Sequence, residues 1–353
     1  MSMRRRVVIG VIVAVSLVAL VAAAIGAHTY LKVRSQLDSV DRISLDVGGD
    51  RPVSATSARG GGQDDLQGLA AGKPVTFLLA GTDGRGVSIA EAMAGGDWQV
   101  GAMRSDTLLL AQLSGDRKSV TAVSIPRDTL VEIDGYGPAK VNAALSYGGP
   151  NLLVQTLEEF SGVRVDHVVF IDWEGFRSLT DALGGVEVYV AETTTDVYQN
   201  RTFTKGATRL SGSDALAYVR QRHGLPNGDF DRIKRQQNFM RALMRKVLSG
   251  GGLATPSAAT RTVGSVVEYL TVDDSLDTDA LLRLAWTVRN LEVSDVAFLT
   301  IPLGSFDTVN GQSVIVADSE VTSELFAAMR TGALDAFAAS HPELRLEQPR
   351  KVR

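Results

Sequence analysis

The sequence predicts an α/β fold that follows a single membrane-spanning segment. Three features support this: apolar runs of strand length that end at Gly, Pro or Asp, helical segments that alternate with them, and an uncharged apolar run near the amino terminus. Strands that alternate with helices are typical of folds in which helices cover a sheet. A chain of 353 residues is long enough for one large domain of this kind with accessory segments.

The first segment is the apolar run 7–27, which follows Arg4, Arg5 and Arg6. As a helix rising ~1.5 Å per residue, such a run spans the ~30 Å hydrocarbon core of a bilayer. The arginines favour a cytoplasmic location for residues 1–6, so we expect a single-pass protein of the cell membrane with its main domain outside. Small residues at 22–24 leave a cleaved signal peptide as an alternative.

Residues 28–73 are predicted to form a stalk, because Gly48–Pro52 and the glycine run 60–62 are typical of linkers. A short helix near Ser35–Arg42 fits within it. We expect the folded domain to cover residues 74–331. The remaining residues, 332–353, are predicted to form a polar, loosely ordered tail.

The first half of the domain is predicted to alternate between strands and helices. The predicted strands are Val75–Leu79, Leu108–Leu113, Val120–Ile125, Thr129–Ile133, His167–Ile171 and Val186–Val190. The predicted helices are Val141–Ser146, Asn151–Ser161 and Glu174–Leu183. This order favours a sheet with helices packed against it.

The second half is predicted to be mainly helical. A loop or hairpin at Ala191–Leu210 and a loop at Gln221–Gly228 interrupt it. The predicted helices are Ser213–Val219, Phe230–Leu248, Ser257–Tyr269 and Thr278–Asn290. A late strand, Val296–Ile301, can rejoin the first sheet, which favours one domain over two.

Composition excludes several kinds of function. The formal net charge of −4 argues against a general nucleic-acid binder, so no nucleic-acid partner is expected. The chain has no cysteine, which excludes disulfides, thiolate metal sites and cysteine nucleophiles. With four histidines, a histidine-rich metal site is not expected. Binding of anions must therefore depend on local clusters of arginine.

Three segments at predicted strand ends pair an arginine with an aspartate. They are Asp83–Arg85, Arg104–Asp106 and Arg127–Asp128. Carboxylates from two loops can hold Mg²⁺, which keeps waters and takes substrate phosphates as further ligands. Guanidinium groups bind phosphate oxygens in bidentate fashion. Each segment taken alone is also compatible with an ordinary turn and a surface ion pair.

A fourth segment has a higher density of arginine. Arg220 and Arg222 precede a predicted helix that carries Arg232, Arg235 and Gln236, whose spacing of three and four residues predicts a shared face. Free backbone N–H groups at a helix start, with arginines beside them, suit a phosphate or pyrophosphate. A solvated helix face is the alternative.

These segments together resemble the LytR–CpsA–Psr family of cell-wall glycopolymer transferases. The matching motifs, in order over 75–248, are Arg104-Ser-Asp106-Thr, Ser124-Ile-Pro-Arg127-Asp128, Lys140-Val-Asn142-Ala-Ala and Arg220-x-Arg222, followed by Asp229-x-x-Arg232-x-x-Arg235-Gln236-Gln237. The resemblance implies a three-layer α-β-α sandwich around a central mixed sheet, with an apolar tunnel for a polyprenyl chain. The segment between Asp83 and Asp106 is longer than the usual family loop.

The resemblance also implies roles for individual residues. Asp83 and Asp106 would bind Mg²⁺. The catalytic clamp on the pyrophosphate would consist of Arg127, Arg220, Arg222 and Arg232. The substrate-binding residues would be Arg85, Arg104, Lys140, Asn142, Asp229, Arg235 and Gln236.

The implied activity is transfer of a phosphoglycan from a polyprenyl-pyrophosphate carrier to a peptidoglycan acceptor. Teichoic acid, arabinogalactan and capsule remain open as the glycopolymer, and Asp128, Asp229 or water remain open as the general base. The alternatives are a lipid pyrophosphatase and a non-catalytic protein that binds polyprenyl pyrophosphate. A transcriptional attenuator is disfavoured, because few residues are cytoplasmic and the arginine clusters alternate with carboxylates.

Overall fold

A computed structural model describes residues 27–352 except 49, 53–71, 85–86, 97, 249–263, 265–266, 268 and 289–290. The predicted membrane span lies outside the described residues up to position 26. The same holds for the glycine run 60–62, for Arg85 and for most of the predicted helix at 257–269. Within the described ranges, no helix combines the length and apolarity needed to cross a membrane.

Helices and strands both occur along the described part, with four consecutive strands between its second and third helices. The helices are α1 (Ala27–Asp38), α2 (Ile89–Ala94), α3 (Val141–Ser161), α4 (Trp173–Ala182), α5 (Gly212–Arg220), α6 (Asp229–Leu248), α7 (Thr278–Val288), α8 (Ser319–Thr331) and α9 (Leu334–Ser340). The strands through the middle of the chain are β1 (Asp41–Ile43), β2 (Val75–Thr82), β3 (Ser105–Leu113), β4 (Val120–Ile125), β5 (Leu130–Ile133), β6 (Gly137–Lys140), β7 (His167–Asp172) and β8 (Val186–Val190). The later strands are β9 (Thr194–Asp196), β10 (Arg201–Phe203), β11 (Gly206–Leu210), β12 (Leu270–Asp273), β13 (Val296–Thr300), β14 (Leu303–Val309) and β15 (Gln312–Ala317).

A central mixed sheet has the strand order β1-β12-β7-β2-β3-β4-β13. The pairs β1–β12, β7–β2 and β4–β13 are parallel, and the other three neighbouring pairs are antiparallel. The late strand β13 does rejoin the sheet, pairing Thr300 with Ser124. The prediction of a central mixed sheet is therefore confirmed in the described part.

Helices cover both faces of this sheet. Along β2, Phe77 and Leu79 belong to one buried cluster, whereas Leu78 and Ala80 belong to the other. The first cluster includes residues of α1, α4, α5, α6 and α7, and the second includes residues of α2, α3, α8 and α9. Since successive side chains of a strand point to opposite faces, the arrangement is a helix–sheet–helix sandwich.

The predicted stalk is wrong for its first residues. Val33 and Leu37 of α1 are 0% and 1% exposed and belong to the core cluster on the first face. Strand β1 then pairs in parallel with β12 and forms an edge of the sheet. Composition near Gly48–Pro52 suggested a linker, but the apolar residues before it pack on the domain.

The predicted loose tail at 332–353 is also wrong. Leu334, Phe337 and Ala338 of α9 are buried, and Val352 is 0% exposed. The N–H of Leu346 donates to the carbonyl of Phe298 in β13 at 2.9 Å. The prediction failed because this segment is mostly polar, yet its few apolar residues pack against the second core cluster.

The two helices predicted between 141 and 161 form one kinked helix, α3. The kink is at Gly148 and Gly149, and Gly149 has φ +69°. A Cβ at Gly149 would lie 2.9 Å from the ring of Trp98. The indole N–H of Trp98 donates to the carbonyl of Ser146 at 3.1 Å. The long loop before β3 is therefore held against α3.

Strand ends converge at one edge of the sheet. Thr82 at the end of β2 pairs with Ser105 at the start of β3 and with Asp172 at the end of β7. Ile125, at the end of β4, pairs with Leu108. The loops that follow β2, β4 and β7 therefore meet at this edge, as in α/β folds that bind ligands beside strand ends.

Candidate active site

Asp106 and Arg127 form an ion pair at this edge. Asp106 lies at the start of β3, and Arg127 follows the end of β4. Nη1 of Arg127 donates a hydrogen bond to Oδ1 of Asp106. Each side chain is 17% exposed. Burial acts to lower the pKa of Arg127, but the carboxylates of Asp106 and Asp128 outweigh it and leave that pKa above its ordinary value. Arg127 therefore carries a fixed positive charge.

The turn that carries Arg127 is held by its neighbours. The N–H of Thr129 donates to the carbonyl of Pro126 at 3.0 Å, and the N–H of Asn142 donates to the carbonyl of Arg127 at 3.2 Å. Oδ1 of Asp128 lies 3.0 Å from Nζ of Lys140. Strand β4 and the start of α3 thus fix the guanidinium in place.

A second charged group comes from the start of α6. Nη2 of Arg232 donates to Asp229 at 2.6 Å, and Nη1 of Arg222 lies 3.5 Å from the other oxygen of the same carboxylate. Burial lowers the pKa of Arg232 to about 10; Asp229 opposes this, whereas the nearby charge of Arg127 adds to it. The half-buried Arg127 and the buried Arg232 thus lie within electrostatic range of each other, which favours binding of an anion.

The position of α6 depends on buried polar contacts. The amide of Gln237 donates to Oγ of Ser124 at 2.7 Å and to the carbonyl of Leu299 at 2.8 Å, which ties the helix to β4 and β13. Oδ2 of Asp231 accepts from the N–H of Asn227 at 3.0 Å and holds the preceding loop. These contacts bring Arg232 to the turn that carries Arg127.

Arg220 occupies the end of α5. It is exposed, and its guanidinium carbon lies 3.6 Å from the ring centroid of Trp173. A guanidinium on an aromatic face keeps its donors free for a ligand. Arg220 and Trp173 both border an apolar cavity.

Asp83 lies next to Arg104. Oδ1 of Asp83 accepts from the N–H of Arg104 at 2.9 Å, and the N–H of Asp83 donates to the carbonyl of Arg104 at 3.1 Å. Asp83 therefore lies opposite Arg104, two residues before Asp106 in the chain.

Arg235 does not join the site. Its side chain is fully buried, where it donates to Gln221 at 2.5 Å and to Thr194 at 2.9 Å. Its guanidinium carbon also lies 4.5 Å from the ring centroid of Tyr218. The predicted substrate-binding role is therefore wrong for Arg235, which joins α6 to the loops around β9. Helical spacing alone did not distinguish its direction from that of Arg232.

Gln236 points toward the apolar cavity, and its amide donates to the carbonyl of Val219 at 3.2 Å. This cavity has a volume of about 110 Å³ and lies on the first face, among α4, α5 and α6. The polar residues at its border are Asp106, Thr107, Asp172, Arg220 and Gln236. Its apolar lining includes Leu79, Leu109, Phe176, Leu179, Phe239 and Leu243.

A polar cavity of about 240 Å³ lies beside the apolar one. Its lining combines Arg127 and Asp128 with three residues predicted from the sequence, Arg104, Lys140 and Asn142. Ala139, Ala143 and Tyr147, which also line it, pack on the second core cluster. The cavities share no lining residue, and the Asp106–Arg127 pair lies between them.

Several residues at the site were not predicted. Trp173 and Tyr147 carry no charge or motif that points to a ligand. Asn310 and Gln312, which line the polar cavity, come from the β14–β15 hairpin. The Asn310-Gly311 pair between alternating runs is a strong hairpin signal that would have identified the turn, but not its location at the site.

The two predicted metal ligands are compatible with a magnesium ion. One oxygen each of Asp83 and Asp106 accepts a hydrogen bond, and the second oxygen carries none among the described residues. Mg²⁺ is commonly held by one or two carboxylates together with waters and substrate phosphates. No group of three or more His, Asp or Glu side chains arranged for a metal occurs in the described ranges.

The described residues thus form an α/β sandwich with arginines clustered near an apolar cavity. The model of the LytR_cpsA_psr family matches residues 32–331. The chain therefore belongs to this family, as the sequence motifs predicted.

Curated relatives act in cell-wall assembly, according to their names. The chain is 31% identical over 380 residues to the cell wall biosynthesis protein LcpA of Corynebacterium glutamicum, covering 95% of this chain and 69% of LcpA. It is 37% identical over 185 residues to the polyisoprenyl-teichoic acid–peptidoglycan teichoic acid transferase TagU of Bacillus mycoides, covering 52% of this chain and 56% of TagU. Among solved structures, TagV of B. subtilis matches with a TM-score of 0.59 at 26% identity, covering 74% of this chain and 98% of TagV.

Proposed function

We propose that the chain is an extracytoplasmic phosphotransferase that moves a phosphoglycan from a polyprenyl-pyrophosphate carrier to peptidoglycan. The observation that carries this proposal is the position of the Asp106–Arg127 pair and the neighbouring Arg232 beside the apolar and the polar cavity, with Arg220 at the border of the apolar one. The name of TagU, a transferase of teichoic acid to peptidoglycan, supports the same chemistry.

The donor would bind with its pyrophosphate among the arginines and its polyprenyl chain in the apolar cavity. Four arginines, Arg127, Arg220, Arg222 and Arg232, offer bidentate donors to the phosphate oxygens. The cavity measures about 110 Å³ and is lined mainly by apolar side chains of α4, α5, α6 and the sheet.

The reaction would be an in-line displacement at the phosphorus that carries the glycan. Such displacements depend mainly on alignment and on neutralisation of charge. The buried guanidinium groups of Arg127 and Arg232 are preorganised for this task. Asp106 and Asp229 hold them in place.

Magnesium is part of the proposal. Asp83 and Asp106 would hold the ion through their second carboxylate oxygens. Bound there, Mg²⁺ would supply positive charge to the pyrophosphate oxygens.

Asp128 is proposed as the general base. Among the site carboxylates, Asp106 and Asp229 each accept a close hydrogen bond from an arginine. Asp128 is the one carboxylate among the described residues that line the polar cavity, from which a hydroxyl can approach. Its contacts with Lys140 at 3.0 Å and Arg127 at 3.7 Å hold its carboxylate in position.

The proposal places the chain in the cytoplasmic membrane, with residues 7–27 as anchor and residues 1–6 inside. Extraction of membranes with alkaline carbonate should leave the full chain in the pellet, and added protease should reach its domain only from outside. A fully soluble chain would contradict the anchor without affecting the site.

The transfer is tested with the full-length chain in detergent, a lipid-linked glycan, Mg²⁺ and peptidoglycan. The expected product is glycan joined to peptidoglycan through a phosphodiester. Release of free phosphoglycan at the same rate without peptidoglycan would instead establish a lipid pyrophosphatase. Binding of the lipid with no product would establish a carrier-binding protein. Mass spectrometry should also detect a copurified polyprenyl phosphate or pyrophosphate.

A further inference from the structure

The polar cavity lies on the opposite side of the Asp106–Arg127 pair from the apolar cavity. Most of the apolar side chains around the apolar cavity belong to, or pack against, the core cluster on the first face of the sheet, whereas Ala139, Ala143 and Tyr147 pack on the second face. The Asp106–Arg127 ion pair joins the two cavities, since Asp106 lines the apolar one and Arg127 lines the polar one.

The lining of the polar cavity suits a saccharide. Asn142, Asn310 and Gln312 each offer one carbonyl acceptor and an amide donor pair, which match neighbouring hydroxyls or an N-acetyl group. Arg104 and Lys140 add positive charge for a carboxylate.

An aromatic pair continues the cavity outward. The ring of Tyr147 stacks on that of Tyr136 with centroids 4.5 Å apart, and Tyr136 is 52% exposed. The apolar face of a sugar ring can rest on such a surface while its hydroxyls reach the amides.

The in-line geometry of the displacement indicates whether the polar cavity would hold the donor's sugar or the acceptor's sugar. The entering and leaving oxygens lie on opposite sides of the phosphorus. If the polyprenyl phosphate leaves toward the apolar cavity, the attacking hydroxyl must enter from the polar one.

We propose that the polar cavity is the acceptor subsite and binds the sugar chain of peptidoglycan. This inference rests on the proposed function and extends it to the second substrate. An acceptor hydroxyl oxygen forms a bond to the glycan-linked phosphorus, while the bond from that phosphorus to the bridging oxygen breaks. The electron pair stays on the bridging oxygen, which leaves as polyprenyl phosphate, and the proton passes to Asp128 and then to water.

The test uses substitutions on the β14–β15 hairpin. Asn310→Gly keeps the left-handed turn, since the φ of Asn310 is +52°, and removes the amide. Gln312→Ala removes the second amide. Ser313→Ala is the matched control, because Ser313 is exposed and does not line the cavity.

Transfer by the full-length chain is measured against a lipid-free tetrasaccharide of alternating N-acetylglucosamine and N-acetylmuramic acid. For the double variant Asn310→Gly/Gln312→Ala, the KM for this acceptor should rise about tenfold, whereas donor Kd should stay unchanged. Ser313→Ala should match the wild type in both. An unchanged acceptor KM would overturn the proposal, and so would a weaker donor Kd, which would assign the cavity to the donor sugars.

Direct binding separates this inference from the proposed function. Calorimetry with the same tetrasaccharide should show binding to the wild type and to Ser313→Ala, and about tenfold weaker binding to the double variant. Binding without transfer would reject the phosphotransferase but keep the saccharide subsite. Absence of binding would reject the subsite, even where transfer to whole peptidoglycan succeeds.

Discussion

The guanidinium of Arg127 donates to the carboxylate of Asp106, and this ion pair lies between the apolar and the polar cavity. Asp106 borders the first cavity and Arg127 borders the second. Arg232 and Asp229 extend the same network from α6. A pyrophosphate bound here would lie next to both cavities at once.

Replacing Arg127 or Arg232 by alanine should nearly abolish transfer. Loss of one preorganised donor to a developing negative charge costs about 3–4 kcal/mol, or roughly 100- to 1,000-fold in rate. Arg232→Lys should also be badly impaired, because lysine keeps the charge but lacks the bidentate guanidinium. The measurement is the initial rate of glycan transfer.

Arg177→Ala is the matched control for these variants. Arg177 forms an exposed pair with Glu174 at 2.8 Å, and such pairs contribute only ~0–1 kcal/mol. Its rate should therefore equal that of the wild type. Wild-type transfer by Arg127→Ala would reject the site assignment.

Arg235→Ala should reduce stability through a different contact. It would remove two buried hydrogen bonds that Gln221 and Thr194 accept from the guanidinium, and hydrogen bonds from a charged group contribute about 1.5–3 kcal/mol each. We expect a lower free energy of unfolding in urea, compared with a small change for Arg222→Ala, whose side chain is 45% exposed. Equal stabilities of the two variants would contradict the structural role of Arg235.

Asp106→Asn should change the magnesium dependence of transfer. The amide keeps an acceptor for Arg127 but removes the negative charge that favours a divalent cation. The Mg²⁺ concentration for half-maximal rate should rise about tenfold, which corresponds to ~1.4 kcal/mol. Asp83→Asn should shift it in the same direction, whereas an unchanged titration in both variants would exclude these ligands.

Removal of residues 27–74 should destabilise the domain. Val33 and Leu37 are buried in the core, and each such side chain contributes roughly 1.5–3 kcal/mol when fully buried. A chain that starts at Val75 should therefore unfold at a lower urea concentration than one that starts at Ala27. Equal midpoints would mean that α1 and β1 add no stability.

Asp273 should make stability depend on pH in the acidic range. Burial acts to raise the pKa of Asp273, but hydrogen bonds from His167, Ser275 and the N–H of Val168 outweigh it and leave that pKa below 3.8. A carboxyl group whose pKa is lowered by folding stabilises the folded state at pH values above its unfolded-state pKa. This stabilisation is lost as the pH falls through the folded-state pKa.

The measurement is the free energy of unfolding in urea from neutral pH to below 3.8. The wild type should lose more stability over this interval than Asp273→Asn, which cannot take up the proton. Parallel curves for the two proteins would show that Asp273 is not a source of the acid sensitivity.

Much of the site was predictable, because its residues occur in short motifs. Arg104–Asp106, Arg127–Asp128 and Arg232 lie next to predicted strands or at a helix start, and the structure brings them to one edge of the sheet. Strand β4 was predicted with its observed bounds, because its buried apolar run ends at Pro126.

The sequence by itself determined the α/β class, the strands of the central sheet that carry long apolar runs, and the grouping of arginines with aspartates. These properties depend on local patterns within a few residues. Only the tertiary structure decided that Arg232 enters the site while Arg235 enters the core, since both lie on one helix and differ in their partners. It also decided that α1, α9 and the β14–β15 hairpin belong to the domain. Their packing depends on contacts with residues far away in the chain, which a local pattern does not record.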